Sequence, residues 1–114
     1  MPVVYVIAED WALRAGVRAE LRERGIEALG MESASDAGIA LAADEMPDVM
    51  VLDAGAKAAS EAAIQLLVER VPTIFIASRT EAAEMPKSAK ILHRPVRVAE
   101  IVSAVIELLG MQRG

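Results

Sequence analysis

Five short apolar runs alternate with helix-patterned segments through the 114 residues, and this alternation predicts an α/β chain with a parallel sheet and helices on both faces. The third run, Met50-Val51-Leu52-Asp53, is continuously apolar until it stops on a carboxylate, the pattern of a strand buried on both faces. The strongest helical stripe, Val98, Ile101, Val102, Val105, Leu108 and Leu109, recurs with a period of 3.6 and closes the pattern.

Val3–Ala8 is rich in β-branched residues and reads as a central strand. Glu9 and Asp10 follow at once. Leu13, Val17 and Leu21 then recur every fourth residue between Arg14, Arg18, Glu20, Arg22 and Glu23, an amphipathic helix. Asp10 suits its N-cap and Gly25 its C′ position, while Gly16 lowers its propensity. Ile26–Met31 is a weaker strand, and Glu27 places it at an edge. Ser33 or Ser35 caps a short second helix that runs to about Ala43. Val49–Asp53 is the third strand, and Lys57 to about Arg70 the third helix, with Ala63, Ile64, Leu67 and Val68 inward. Pro72 resets the chain before a fourth strand, Thr73–Ala77. Thr80-Glu81 starts a fourth helix that Pro86 cuts short, so this helix is short or irregular. Lys90–His93 is the fifth strand, bounded by Arg94-Pro95. Gly110 is expected to end the last helix and leave Met111–Gly114 frayed.

Five βα units in so short a chain favour the flavodoxin-like (βα)5 doubly wound sandwich, with a five-stranded parallel sheet in the order 2-1-3-4-5. No repeat, low-complexity run or linker interrupts residues 1–114, so a single domain is expected. In that order strands one and three are neighbours at the switch point. Glu9 and Asp10 then lie beside Asp53, at the carboxyl ends of the strands where such sheets bind ligands.

Composition narrows the function. The mean hydropathy of +0.36 reflects 22 alanines more than a membrane signal. Uncharged stretches reach only eight residues, far below the roughly 18–20 that span a bilayer. The start of the sequence shows no signal-peptide pattern, and no cysteine offers a disulfide or thiolate site; both suit the cytoplasm. A net charge of −5 and three aromatic residues argue against nucleic-acid binding.

The candidate site is the acidic pocket of Glu9, Asp10 and Asp53. Converging carboxylates repel unless a cation offsets them, and hard oxygen ligands favour Mg²⁺. Glu9 and Asp10 also suit a helix start, where acids complement the macrodipole. Glu9-Asp10-Trp11 stands where a dinucleotide site would need glycines, no Gly-x-Ser-x-Gly elbow occurs, and His93 has no cysteine partner. Trp11 is expected at the pocket rim.

The chain resembles the receiver domain of two-component response regulators over essentially its whole length. The resemblance rests on Glu9-Asp10 after strand one, Pro47-Asp48-Val49-Met50-Val51-Leu52-Asp53, Pro72 opening strand four and Arg94-Pro95 after strand five. It implies that Asp53 is the phosphoacceptor for a partner kinase's phosphohistidine. It further implies that Glu9, Asp10, Asp53 and a backbone carbonyl just after Asp53, at Gly55, hold Mg²⁺, and that the Arg94–Pro95 peptide is cis. The partners implied are a histidine kinase, a phosphotransfer protein or an output protein, with the last helix and its neighbouring strand offering a homodimer surface. The chain is then not an enzyme beyond phosphorylation and dephosphorylation of its own Asp53.

The sequence departs from that pattern along the switch. The hydroxyl residue expected at the end of strand four is Ala77, and Ser78 follows one place late, on the opposite face of a strand. Arg94 replaces a lysine, Ile91 an aromatic residue, and Ala54-Gly55-Ala56-Lys57 the usual loop. Two readings follow. One is an atypical phosphorylatable receiver that signals through Arg94 or Ser78. The other is a pseudo-receiver, an interaction module that works without phosphate.

Overall fold

The computed structural model describes residues 1–32, 46–53, 69–83 and 90–113. Each apolar run forms a strand: β1 (Val3–Ile7), β2 (Glu27–Met31), β3 (Val49–Asp53), β4 (Thr73–Ala77) and β5 (Lys90–His93). All pairings are parallel, in the order β2-β1-β3-β4-β5, as predicted. The described helices are α1 (Trp11–Glu23), α2 (Arg79–Ala83) and α3 (Val98–Arg113). The predicted second helix lies outside the described residues. So does the third, apart from Glu69 and Arg70, which are helical.

Successive strand side chains point to opposite faces, and this divides the core in two. On one face Val4, Val6, Ala28, Val49, Val51, Ile74 and Ile76 meet Val17 and Leu21 of α1 and Ile101, Val102 and Val105 of α3. On the other face Tyr5, Ile7, Met50, Leu52 and Phe75 cluster with Val71. All five residues of β3 are buried, which explains its continuous apolar run. Burying a side chain such as Leu21 stabilises the fold by roughly 1.5–3 kcal/mol.

Local chemistry sets the helix ends. Asp10 caps α1, its Oδ1 accepting from the backbone N–H groups of Ala12 at 2.9 Å and Leu13 at 3.2 Å. Gly25 closes the helix at a φ of 76°, where an L side chain would be strained. Gly16, which lowers helix propensity, lies where a Cβ would come within 3.0 Å of Val98 Cγ2, so its bare backbone admits α3.

At the sheet edge, Glu27 and Met31 bond to β1 through Glu27 N–H to Pro2 O and Ala8 N–H to Met31 O, both at 3.0 Å. The alternate carbonyl, Ala28 O, therefore points outward. Arg18 Nε donates to it at 3.2 Å, blunting an edge that could otherwise pair with another chain.

The last helix departs from expectation. It runs through Gly110 to Arg113, and Gly110 does not take a positive φ, so it is an interior residue and not a C′ glycine. A helix tolerates that at about 1 kcal/mol relative to alanine.

The predicted fourth helix is α2, described over Arg79–Ala83, and it starts one residue earlier than Thr80; its expected break at Pro86 lies outside the described residues. Ser78 N–H donates to Glu81 Oε1 at 2.8 Å, and Glu81 N–H donates to Ser78 Oγ at 3.1 Å, a reciprocal box that satisfies two donors at the helix start. The Ser78 backbone N–H is the chief reason the Glu81 carboxyl is held below its ordinary range. Partial burial opposes this, while the Ser78 side chain and the Arg94 charge add to it.

Two outcomes test these contacts. Leu21→Ala is expected to destabilise the fold by about 2–5 kcal/mol, because Leu21 is fully buried in the core. Trp11→Ala should change stability by no more than about 0.5 kcal/mol, because the side chain is 72% exposed. Urea unfolding measures both. A carboxyl held low in the folded state contributes stability that is complete above the ordinary glutamate range and is lost as pH falls through its lowered folded value. The difference in urea midpoint between wild type and Glu81→Gln should therefore be present at neutral pH and vanish on acidification.

Candidate functional site

The switch point is built by the ends of three strands. Ile7 pairs with Leu52 and Asp53 pairs with Ile76, so Asp53 stands one residue beyond the last β1 partner, at the carboxyl edge of the sheet. Although it ends a strand, Asp53 is only 5% exposed, and it is the buried charged residue of the described chain. A buried carboxylate is tolerated when it is paired.

Its partner comes from the far side of the sheet. Arg94 follows β5, and its backbone N–H donates to Ala77 O at 3.0 Å, fixing it at the end of β4. From there Arg94 Nη2 forms an ion pair with Asp53 Oδ1. The Arg94–Pro95 peptide is cis, as the resemblance implied. Nη1 of the same guanidinium lies 3.4 Å from Glu81 Oε1 on α2. One cation thus stands between two carboxylates. The Arg94 side chain is 37% exposed, which screens the outer contact more than the inner one.

The sequence missed Glu81. Its Ser-x-x-Glu spacing shows the helix start, but nothing local signals the contact with a residue thirteen positions away. The predicted site residue Ser78 lies in that same box, its hydroxyl accepting from Glu81 N–H. Ala77 is fully buried and offers only a methyl. Ile91 is half-buried against the Tyr5 and Phe75 cluster. Trp11 is exposed at the first position of α1 and does not pack at a rim, because the amphipathic stripe of α1 turns Val17 and Leu21 inward instead.

Glu9 and Asp10 follow the end of β1, the neighbour of β3 in the sheet, and both are exposed. Arg14 Nη1 donates to Ala8 O at 2.6 Å, so a guanidinium also closes the end of β1. The Mg²⁺ implied by the resemblance can be tested against these placements. Asp10 Oδ1 is committed to two helix N–H groups, Asp53 Oδ1 to Arg94, and Gly55 lies outside the described residues. Among the described residues no three acidic or histidine side chains converge as a metal site. The donor set is of the hard-oxygen kind that suits Mg²⁺, but the described residues do not gather it around one point. The cation that meets Asp53 is Arg94.

A cavity of about 380 Å³ lies at the opposite end of the sheet, lined by Pro2, Arg24, Gly25, Ile26, Ile106, Leu109 and Gly110. It has no part in the acidic crevice. No described helix is long and apolar enough to cross a membrane.

No family model and no curated protein matches the sequence. Solved structures do match. A response regulator receiver protein from Burkholderia phymatum aligns with 24% identity over 96% of both chains, with a TM-score of 0.75. The receiver domain of Francisella response regulator 1452 aligns with 20% identity over 98% of this chain and 99% of its own, with a TM-score of 0.80. The beryllofluoride-activated NtrC receiver domain aligns with 20% identity over 96% of this chain and 95% of its own, with a TM-score of 0.74. In strand order, in flanking helices and over nearly its whole length, this chain has the fold of the response-regulator receiver domain.

Proposed function

We infer that the chain is a receiver-type signalling domain of a two-component phosphorelay, with Asp53 as its phosphoacceptor. The observation that carries this reading is the buried Asp53 carboxylate at the switch point with the Arg94 guanidinium on it. A carboxylate so placed can attack phosphorus in line: an Asp53 oxygen forms the new O–P bond, and the N–P bond of a phosphohistidine breaks, its electron pair leaving with the imidazole. Charge builds on the phosphoryl oxygens as this proceeds, and Arg94 is the cation fixed beside them. Ser78 has its hydroxyl at the start of α2, so Arg94 is the better candidate for contact with the phosphoryl group. The partners are a histidine kinase or phosphotransfer protein as donor and a protein that reads the product, in the cytoplasm. The only chemistry is at the chain's own Asp53.

Two observations favour the second reading, an interaction module that needs no phosphate. Glu9, Asp10 and Asp53 do not form a metal-holding group in the described residues, and Ala77 carries no hydroxyl.

Incubation with a small-molecule phosphodonor such as acetyl phosphate, with and without Mg²⁺, separates the two. Intact-mass measurement is expected to show one hydroxylamine-labile phosphoryl group per chain, absent from Asp53→Asn. A folded wild-type protein that takes up none under either condition would establish the phosphate-independent module instead. Arg94→Met is expected to lower folded stability by about 1–3 kcal/mol, since it removes the guanidinium that donates to a buried carboxylate, and to slow phosphoryl uptake. Urea unfolding and the time course of mass gain measure these.

A further inference from the structure

We propose that Glu81 is a positioning residue that shares the Arg94 guanidinium with Asp53 and so couples the charge on Asp53 to the start of α2. The signalling use of this coupling rests on the phosphoacceptor reading; the coupling itself does not.

The geometry forms a continuous chain of contacts. Arg94 Nη2 pairs with Asp53 Oδ1, and Nη1 lies 3.4 Å from Glu81 Oε1. That same Glu81 oxygen accepts the Ser78 backbone N–H at 2.8 Å. Glu81 N–H returns to Ser78 Oγ at 3.1 Å. A single carboxylate oxygen is therefore both the outer end of the ion pair and the acceptor that starts the helix.

Two acids competing for one cation cannot be independent. If Asp53 loses its charge, Arg94 is released toward Glu81, and Oε1 gives up electron density to the guanidinium at the expense of the Ser78 N–H. If Asp53 gains a phosphoryl group, with more negative charge and three acceptor oxygens, Arg94 is drawn inward and the Ser78 N–H gains a less contested acceptor. Opposite changes at Asp53 thus move one reporter in opposite directions. The guanidinium fork suits this role, because its separate N–H groups reach two carboxylates at once, which a single ammonium would do with less fixed geometry. The route reaches α2 from the Asp53 site without a hydroxyl at position 77.

The test is a comparison of amide chemical shifts for Ser78 and Glu81 in ¹⁵N-labelled wild type, Asp53→Asn, Glu81→Gln and the double variant. Gln keeps an acceptor for the Ser78 N–H and removes the charge that attracts Arg94. The expected result is a clear shift of the Ser78 amide on Asp53→Asn, reduced several-fold when Glu81→Gln is already present. An equal shift in both backgrounds would overturn the proposal, since it would show that Asp53 reaches Ser78 without Glu81. Should the double variant fail to fold, Glu81→Asp, which retracts the carboxylate from Arg94, takes its place under the same criterion. Beryllofluoride added to the wild type keeps the two ideas apart. Absence of binding removes the phosphoacceptor reading, while the amide comparison on the free protein still decides whether Glu81 couples to Asp53.

Discussion

A carboxylate buried at the centre of a parallel sheet needs a cation, and the Asp53–Arg94 pair meets that need. Much of the upper end of the molecule follows from it. Arg94 reaches Asp53 because β5 pairs with β4 in a register that sets His93 beside Ala77, and because the next backbone N–H bonds to Ala77 O. A strand at the far edge thus delivers a charge to an acid two strands away.

Arginine in this position has a consequence that lysine would not share. A point charge on a flexible stem would relax onto the deeper carboxylate. The planar fork instead divides itself between Asp53 and Glu81, and Glu81 is also the acceptor that begins α2. Over its five described residues α2 buries no side chain, and its starting box shares an oxygen with the ion pair.

The sequence showed most of the fold because its signals are local. The bounds of β3, β4 and β5 follow from apolar runs bracketed by Pro72, Asp53 and Arg94, and the strand order from the short right-handed βα connections. Asp53 and Arg94, which the structure joins as an ion pair, were both singled out in the sequence, through the acid that ends β3 and the basic-Pro pair. The rest was not legible for physical reasons. Gly110 reads as a stop signal, yet a glycine in the last turns of a helix costs little, and α3 continues to Arg113. Glu81 was read only as a helix former, because a side chain's contact with a residue thirteen positions away has no periodicity to betray it. Glu9 and Asp10 were ambiguous in sequence, since an acid after β1 can serve a pocket or a helix.

Asp10 shows how those two duties compete. Its Oδ1 satisfies two of the four N–H groups that begin α1, and removing such a cap costs about 0.5–2 kcal/mol. Asp53 is likewise engaged, by a guanidinium that neutralises it. The Asp53–Arg94 pair and the starting box of α2 therefore form one electrostatic system, joined through Glu81. Its resting arrangement is satisfied by the chain's own guanidinium and backbone donors. The proposed phosphoryl group on Asp53 would draw Arg94 inward and leave Glu81 to the Ser78 N–H.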